Sequence, residues 1–107
     1  MNLGRLLKQR AAEGRPVRVG VIGAGKFSSM FLAQARTTPG LHLLALADLS
    51  VERAEKALAA TGWDLKTQVA KSLEDALKIG RTFITDDADR LIAANGLDVV
   101  VDPLPLG

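Results

Sequence analysis

The sequence contains no cysteine, no tyrosine, one histidine and one tryptophan. The missing cysteines exclude disulfides, thiolate-bound metal and a cysteine nucleophile. His42 alone cannot build a multi-histidine zinc cluster. Aromatic residues make up 4% of the chain, which argues against holding RNA by base stacking. No apolar run approaches the ~18 residues that cross a bilayer, and no secretory leader pattern is visible. With cysteine absent as well, the cytoplasm is the expected compartment and a membrane partner is not expected.

What is present suits one folded domain. The 107 residues are 48% hydrophobic and 24% charged, enough apolar material for a core and too much for a disordered tail. Charge is uneven. Residues 1–18 hold five basic residues against one acidic, and residues 19–107 hold nine against eleven. Leu3, Leu6, Leu7 and Ala11 recur at helical spacing, with Arg5, Lys8 and Arg10 off that stripe. Residues 1–14 therefore read as an amphipathic helix that packs on the domain or on a partner subunit. A basic patch for nucleic acid is the competing reading, and it predicts affinity that falls steeply with salt. A mitochondrial presequence fits less well, because the stripe is short and serine is absent.

Strands and helices then alternate. Val17–Ile22 is a β-branched run of strand length, ended by Gly23-Ala24-Gly25. Lys26 to Thr37 reads as a helix with Phe27, Met30, Phe31 and Ala35 on one side, stopped by Thr38-Pro39-Gly40. Leu41–Ala47 is a second buried strand, closed by Asp48, and Ser50 caps a helix from Val51 to about Ala60. Thr67–Ala70 suits a short strand, and Ser72 caps a short helix that ends at Gly80. Arg81–Thr85 reads as a strand, Asp86 or Asp87 caps a helix to Ala94, and Leu97–Val101 is a buried strand. Two prolines bar the tail, residues 103–107, from a central strand. This order predicts an α/β fold: a half-Rossmann parallel sheet, order 3-2-1-4, with flanking helices and an N-terminal helix. Residues 15–102 would form that domain.

The glycine turn carries the chemistry. Gly23-x-Gly25-x-x-Ser28 follows a strand and opens a helix, the context a dinucleotide fingerprint requires. The first glycine permits a tight turn, the second a close approach to pyrophosphate, and the helix N-terminus favours the anion. Ser28 stands where Gly or Ala is usual. Asp48, 25 residues after Gly23, is near the ~20-residue spacing of the acid that reads the adenosine ribose. A carboxylate there accepts from the ribose hydroxyls and repels a 2′-phosphate, which favours NAD. Ser50 and Arg53 would instead receive a 2′-phosphate if Asp48 turned away.

Other patterns carry less. Gly20 to Lys26 fits the first seven positions of a phosphate loop, but Phe27 stands where a magnesium-binding Ser or Thr must be. His42 is expected to be satisfied structurally. Asp86, Asp87 and Asp89 suit a helix cap and dipole partners better than a metal site, and no metal is expected.

The stretch Val17-Arg18-Val19-Gly20-Val21-Ile22-Gly23-Ala24-Gly25-Lys26-Phe27, with Leu46-Ala47-Asp48-Leu49-Ser50, resembles the NAD(P)-binding domain of homoserine-dehydrogenase-like oxidoreductases. With helix Leu3–Arg10, Gly62-Trp63, Ser72–Ala76, Thr85-Asp86-Asp87 and Leu97–Val101, it is most similar to the deoxyxylulose-phosphate reductoisomerase-like subgroup. The resemblance implies an NAD(P)H hydride carrier, and NADP for the reductoisomerase-like members. It implies a pyrophosphate loop of Gly23, Ala24, Gly25, Lys26, Phe27 and Ser28. Asp48 and Leu49 would lie at the adenosine ribose, and Thr85 near the adenine or bridging ribose. The family's small-residue turn after the fourth strand is replaced by Asp102–Gly107, and its later strands and substrate domain do not follow. The expectation is a domain truncated after the fourth strand, inactive by itself, with no catalytic residue of its own and an altered reading frame at the tail. The leading function is the NAD(P)-binding part of an oxidoreductase acting on a small carbonyl or hydroxyl substrate. The alternative is a non-catalytic nucleotide-sensing or self-assembly module, because an exposed sheet edge or the N-terminal helix invites homo-oligomerisation.

Overall fold

The computed structural model describes residues 3–23, 26–94 and 96–101. Five parallel strands form one sheet: β1 (Val17–Ile22), β2 (Leu41–Ala47), β3 (Val69–Ala70), β4 (Thr82–Thr85) and β5 (Val99–Val101). Their order is β3-β4-β2-β1-β5, so the four expected strands lie in the expected 3-2-1-4 order with β3 added outside β4. The helices are α1 (Leu3–Ala12), α2 (Lys26–Ala35), α3 (Val51–Ala60), α4 (Leu65–Gln68), α5 (Leu73–Ile79) and α6 (Ala88–Ile92).

The helices cover both faces of the sheet. On one face Val17, Val19 and Val21 of β1 pack with Leu43 and Leu46 of β2 against Leu7, Leu32, Ala54 and Leu58. Those last four belong to α1, α2 and α3, so the N-terminal helix packs on the domain. On the other face Leu44, Ala45 and Ala47 meet Ala76 of α5 and Leu91 of α6, with Leu97 bridging the two clusters. Leu43 and Leu46 share a face although they are three residues apart. The pairing with β1 explains this: it steps from Val19–Leu43 to Gly20–Ala45 and skips Leu44, a bulge in β2.

Caps set most helix starts. The Ser50 side chain accepts from the Arg53 N–H, Ser72 from Asp75 and Asp87 from Arg90. Of the two cap candidates at α6, Asp86 and Asp87, the cap is Asp87.

Four local readings are corrected. Thr67 and Gln68 are helical, because the Asp64 side chain accepts from the Lys66 N–H and its carbonyl accepts from the N–H of Gln68; only Val69 and Ala70 join the sheet. In α2 Met30 is exposed and Leu32 is fully buried: the helix turns the stripe one position further toward the sheet. Ala11 in α1 is exposed, so the buried stripe of that helix is centred on Leu7. Leu97 and Asp98 precede β5, and Val99 and Val100 are exposed. They sit on an outer strand with one neighbour, β1, so their apolar character does not bring burial.

Candidate functional site

The candidate residues gather where the strands end. In an open parallel sheet the carboxyl ends of the strands form a rim, and a crevice opens where the strand order reverses. Here β2 and β4 lie to one side of β1 and β5 to the other, so the reversal falls at β1. Gly23 terminates β1 at that point.

Gly23 has φ +91°, a conformation that L side chains rarely adopt, and a Cβ built on it would meet nothing within 4 Å. Its N–H donates to the Ala47 carbonyl at 2.6 Å, and the Asp48 N–H donates to the Thr85 carbonyl at 3.0 Å. These two bonds stitch the ends of β1, β2 and β4 into one ledge. Lys26, Phe27 and Ser28 form the first turn of α2, just beyond the ledge. Ala24 and Gly25 lie outside the described residues. A strand end without a side chain, facing open space and followed at once by a helix N-terminus, fits the phosphates of a dinucleotide.

Asp48 leads the polar part. Its side chain is only 1% exposed. Arg53 of α3 holds it with two bonds, Nε to Oδ2 and Nη2 to Oδ1, each 2.8 Å. The Ser50 N–H donates to Oδ2 as well, at 3.1 Å. Arg53 itself is 62% exposed. Its bonds to the carboxylate hold the guanidinium above its ordinary pKa, so it is fully charged. Leu49, between Asp48 and the Ser50 cap, is 92% exposed. Thr85 ends β4 beside Asp48, but it is buried, and its hydroxyl accepts from the Asp87 N–H.

The structure therefore brings Gly23, Asp48, Ser50, Arg53 and Thr85 to one rim. It also joins Asp48 and Arg53, which the sequence presented as alternatives. The signal was available: an acid at a strand end and an arginine one turn into the capped helix that follows. His42 stands apart from this rim. Its Nε2–H donates to the Arg81 carbonyl at 2.7 Å. Burial pushes its pKa down, Arg18 adds to that, and the Arg81 bond partly offsets it. Gly20 lies inside β1, which removes the phosphate-loop reading. No group of three metal-ligating side chains occurs among the described residues, and no helix among them is long and apolar enough to cross a membrane.

No curated protein matches the chain. A family model does: the Gfo/Idh/MocA oxidoreductase family, NAD-binding Rossmann fold, matches residues 17–101. The match runs from the first residue of β1 to the last of β5 and includes the whole rim, and the chain belongs to that oxidoreductase family.

Proposed function

We propose that residues 15–102 are the nicotinamide-dinucleotide-binding part of an oxidoreductase of the homoserine-dehydrogenase-like or reductoisomerase-like kind. It moves a hydride to or from a small carbonyl or hydroxyl substrate. The observation that carries it is the coincidence, on one rim, of an open glycine end at β1, a helix start, and a charged pair at the end of β2.

In this reading each residue has a limited task. Gly23 lets the backbone come close to the pyrophosphate, and the first N–H groups of α2 stabilise its charge. Asp48, Leu49, Ser50 and Arg53 meet the adenosine end, and Thr85 fixes the ledge beside it. A bound nicotinamide would carry the hydride, in either direction. No described side chain is assigned as general acid or base, and the substrate groups are assigned to protein beyond residues 15–102. We place the protein in the cytoplasm.

Calorimetric titration of the chain with NADH and NADPH tests the reading. Saturable binding of either, lost in a folded Gly23→Val variant, is the expected result. A folded chain that binds neither nucleotide overturns it. A second reading, self-assembly, is favoured by one observation: Val99 and Val100 are 47% and 39% exposed on outer strand β5. Sedimentation over a range of concentrations tests it, and a monomer throughout rejects it.

A further inference from the structure

Arg18 and His42 stand side by side at the amino ends of the strands. The pairing of β1 with β2 sets one against the other, on strands about 4.8 Å apart. Val17 and Val19 flank Arg18, Leu43 follows His42, and all three pack into the face covered by α1, α2 and α3. Alternation therefore sends Arg18 and His42 to the opposite face, that of α5 and α6. Arg18 lies five residues, about 16 Å, back along the chain from Gly23, so this place is separate from the rim described above.

Arg18 brings a charge without a counter-charge. Its guanidinium makes no hydrogen bond or ion pair among the described residues, and its Nε is buried. The Nη pair is not buried with it and opens toward solvent. The neighbouring acid, Asp98, is occupied: its Oδ2 accepts from the Arg18 main-chain N–H and from Arg10 Nη2. A partly desolvated cation left in this way is costly until an anion meets it.

His42 brings one open nitrogen. Its Nε2–H is fixed on the Arg81 carbonyl, while Nδ1 has no bond among the described residues and is not sealed from solvent. Burial, with Arg18 beside it, keeps the ring neutral in the free protein. An anion between the two side chains reverses that balance, because it favours the charged ring and turns Nδ1 into a donor.

We propose that Arg18 and His42 form a binding site for a phosphate group, free or carried on a small metabolite, at the end of the sheet opposite the glycine rim. The guanidinium supplies two parallel donors and His42 Nδ1–H a third from the next strand. Three donors in two directions suit a tetrahedral oxyanion better than a flat carboxylate. Binding takes up one proton from solvent, onto Nδ1.

Histidine occurs once in the chain, so NMR of its imidazole reports on this place alone. The intact chain is titrated with inorganic phosphate and, separately, with glycerol 3-phosphate. Sodium chloride holds the ionic strength constant, and circular dichroism checks the fold of every variant. The His42 signals should shift saturably, and the His42 pKa should be about one unit higher in phosphate than in chloride. Arg18→Met should abolish both responses. Arg18→Lys keeps the charge and loses the fork, so binding about tenfold weaker is expected; it also serves if Arg18→Met does not fold. Tighter binding of the ester would assign the site to a phosphorylated metabolite, and equal or weaker binding to free phosphate. A folded wild type whose His42 signals show no saturable response overturns the proposal. So does a response that persists at full strength in folded Arg18→Met or Arg18→Lys.

Discussion

The two rims of the sheet are made from the same residue types and do opposite things. At the amino ends of the strands, Gly40 has φ +81° and a Cβ on it would come within 1.9 Å of the Leu7 carbonyl oxygen of α1. Arg10 of α1 bonds to the Arg15 and Pro16 carbonyls and to Asp98, and Asp98 accepts from the Arg18 N–H. At the carboxyl ends Gly23 faces open space, and Arg53 projects outward from Asp48. Glycine, aspartate and arginine close one rim against a helix and leave the other available. What differs is whether a helix backbone covers the glycine and whether the arginine ends on main-chain carbonyls or in solvent.

The glycines give the strongest test of this contrast. Gly40→Ala must displace the α1 backbone as well as strain its own, and should cost about 3 kcal/mol or more. Gly23→Ala has only the strain, about 1 to 2 kcal/mol. Urea unfolding of both variants measures the difference, and equal losses would mean that the rims are not closed and open as described. The aspartates come next. Asp48→Ala removes buried charged hydrogen bonds and strands the Ser50 N–H, for about 2 kcal/mol. Asp98→Ala breaks a half-exposed pair 3.3 Å long and an exposed bond from the Arg18 N–H, which water can replace, and should cost about 1 kcal/mol or less. Thermal melts of the two side by side should keep that order.

A pH series adds a smaller effect, confined to the amino rim. His42 has a lowered pKa in the fold, so the unfolded chain binds more protons between the folded value and ~6.5. Stability is complete above that range and falls as the solution is acidified through it. In His42→Gln this component of the acid loss should disappear; an unchanged pH profile would assign it elsewhere. The smallest change is expected from Arg18→Met. Arg18 Nε is buried with no partner among the described residues, so removing it should leave stability level or slightly higher. The His42 pKa, followed by NMR, should rise in the same variant.

Much of this was legible from local chemistry. The limits of β1, β2 and α3 follow from a β-branched run, an apolar run between turn residues and the Ser50 cap. The strand order follows from alternation and right-handed crossovers. Gly23 and Asp48 were identifiable as a pair from spacing alone. What escaped was information held in the partner of each segment. Leu41–Ala47 and Leu97–Val101 look alike as apolar runs, but β2 has a strand on each side and β5 has one. Met30 and Leu32 fit a helical stripe about equally until the sheet selects between them. The grip of Arg53 on Asp48 depends on which way the acid leaves its strand, and that is fixed across the sheet.

That direction depends on the bulge in β2, where the pairing skips one residue. A strand alternates its faces strictly, so Leu43 and Asp48, five positions apart, should point to opposite sides. Leu44 and Ala45 instead point to the same side, toward α5 and α6, and the count after them runs one beat late. Asp48 therefore emerges on the side of α3, where Arg53 waits. Leu44 acts as a phase correction: deleting it would cost core packing but keep the acid on its side, whereas deleting Ala47 would turn the acid toward α6. The side on which this rim presents its acid is thus set by a bulge four residues upstream that takes up one residue of the strand.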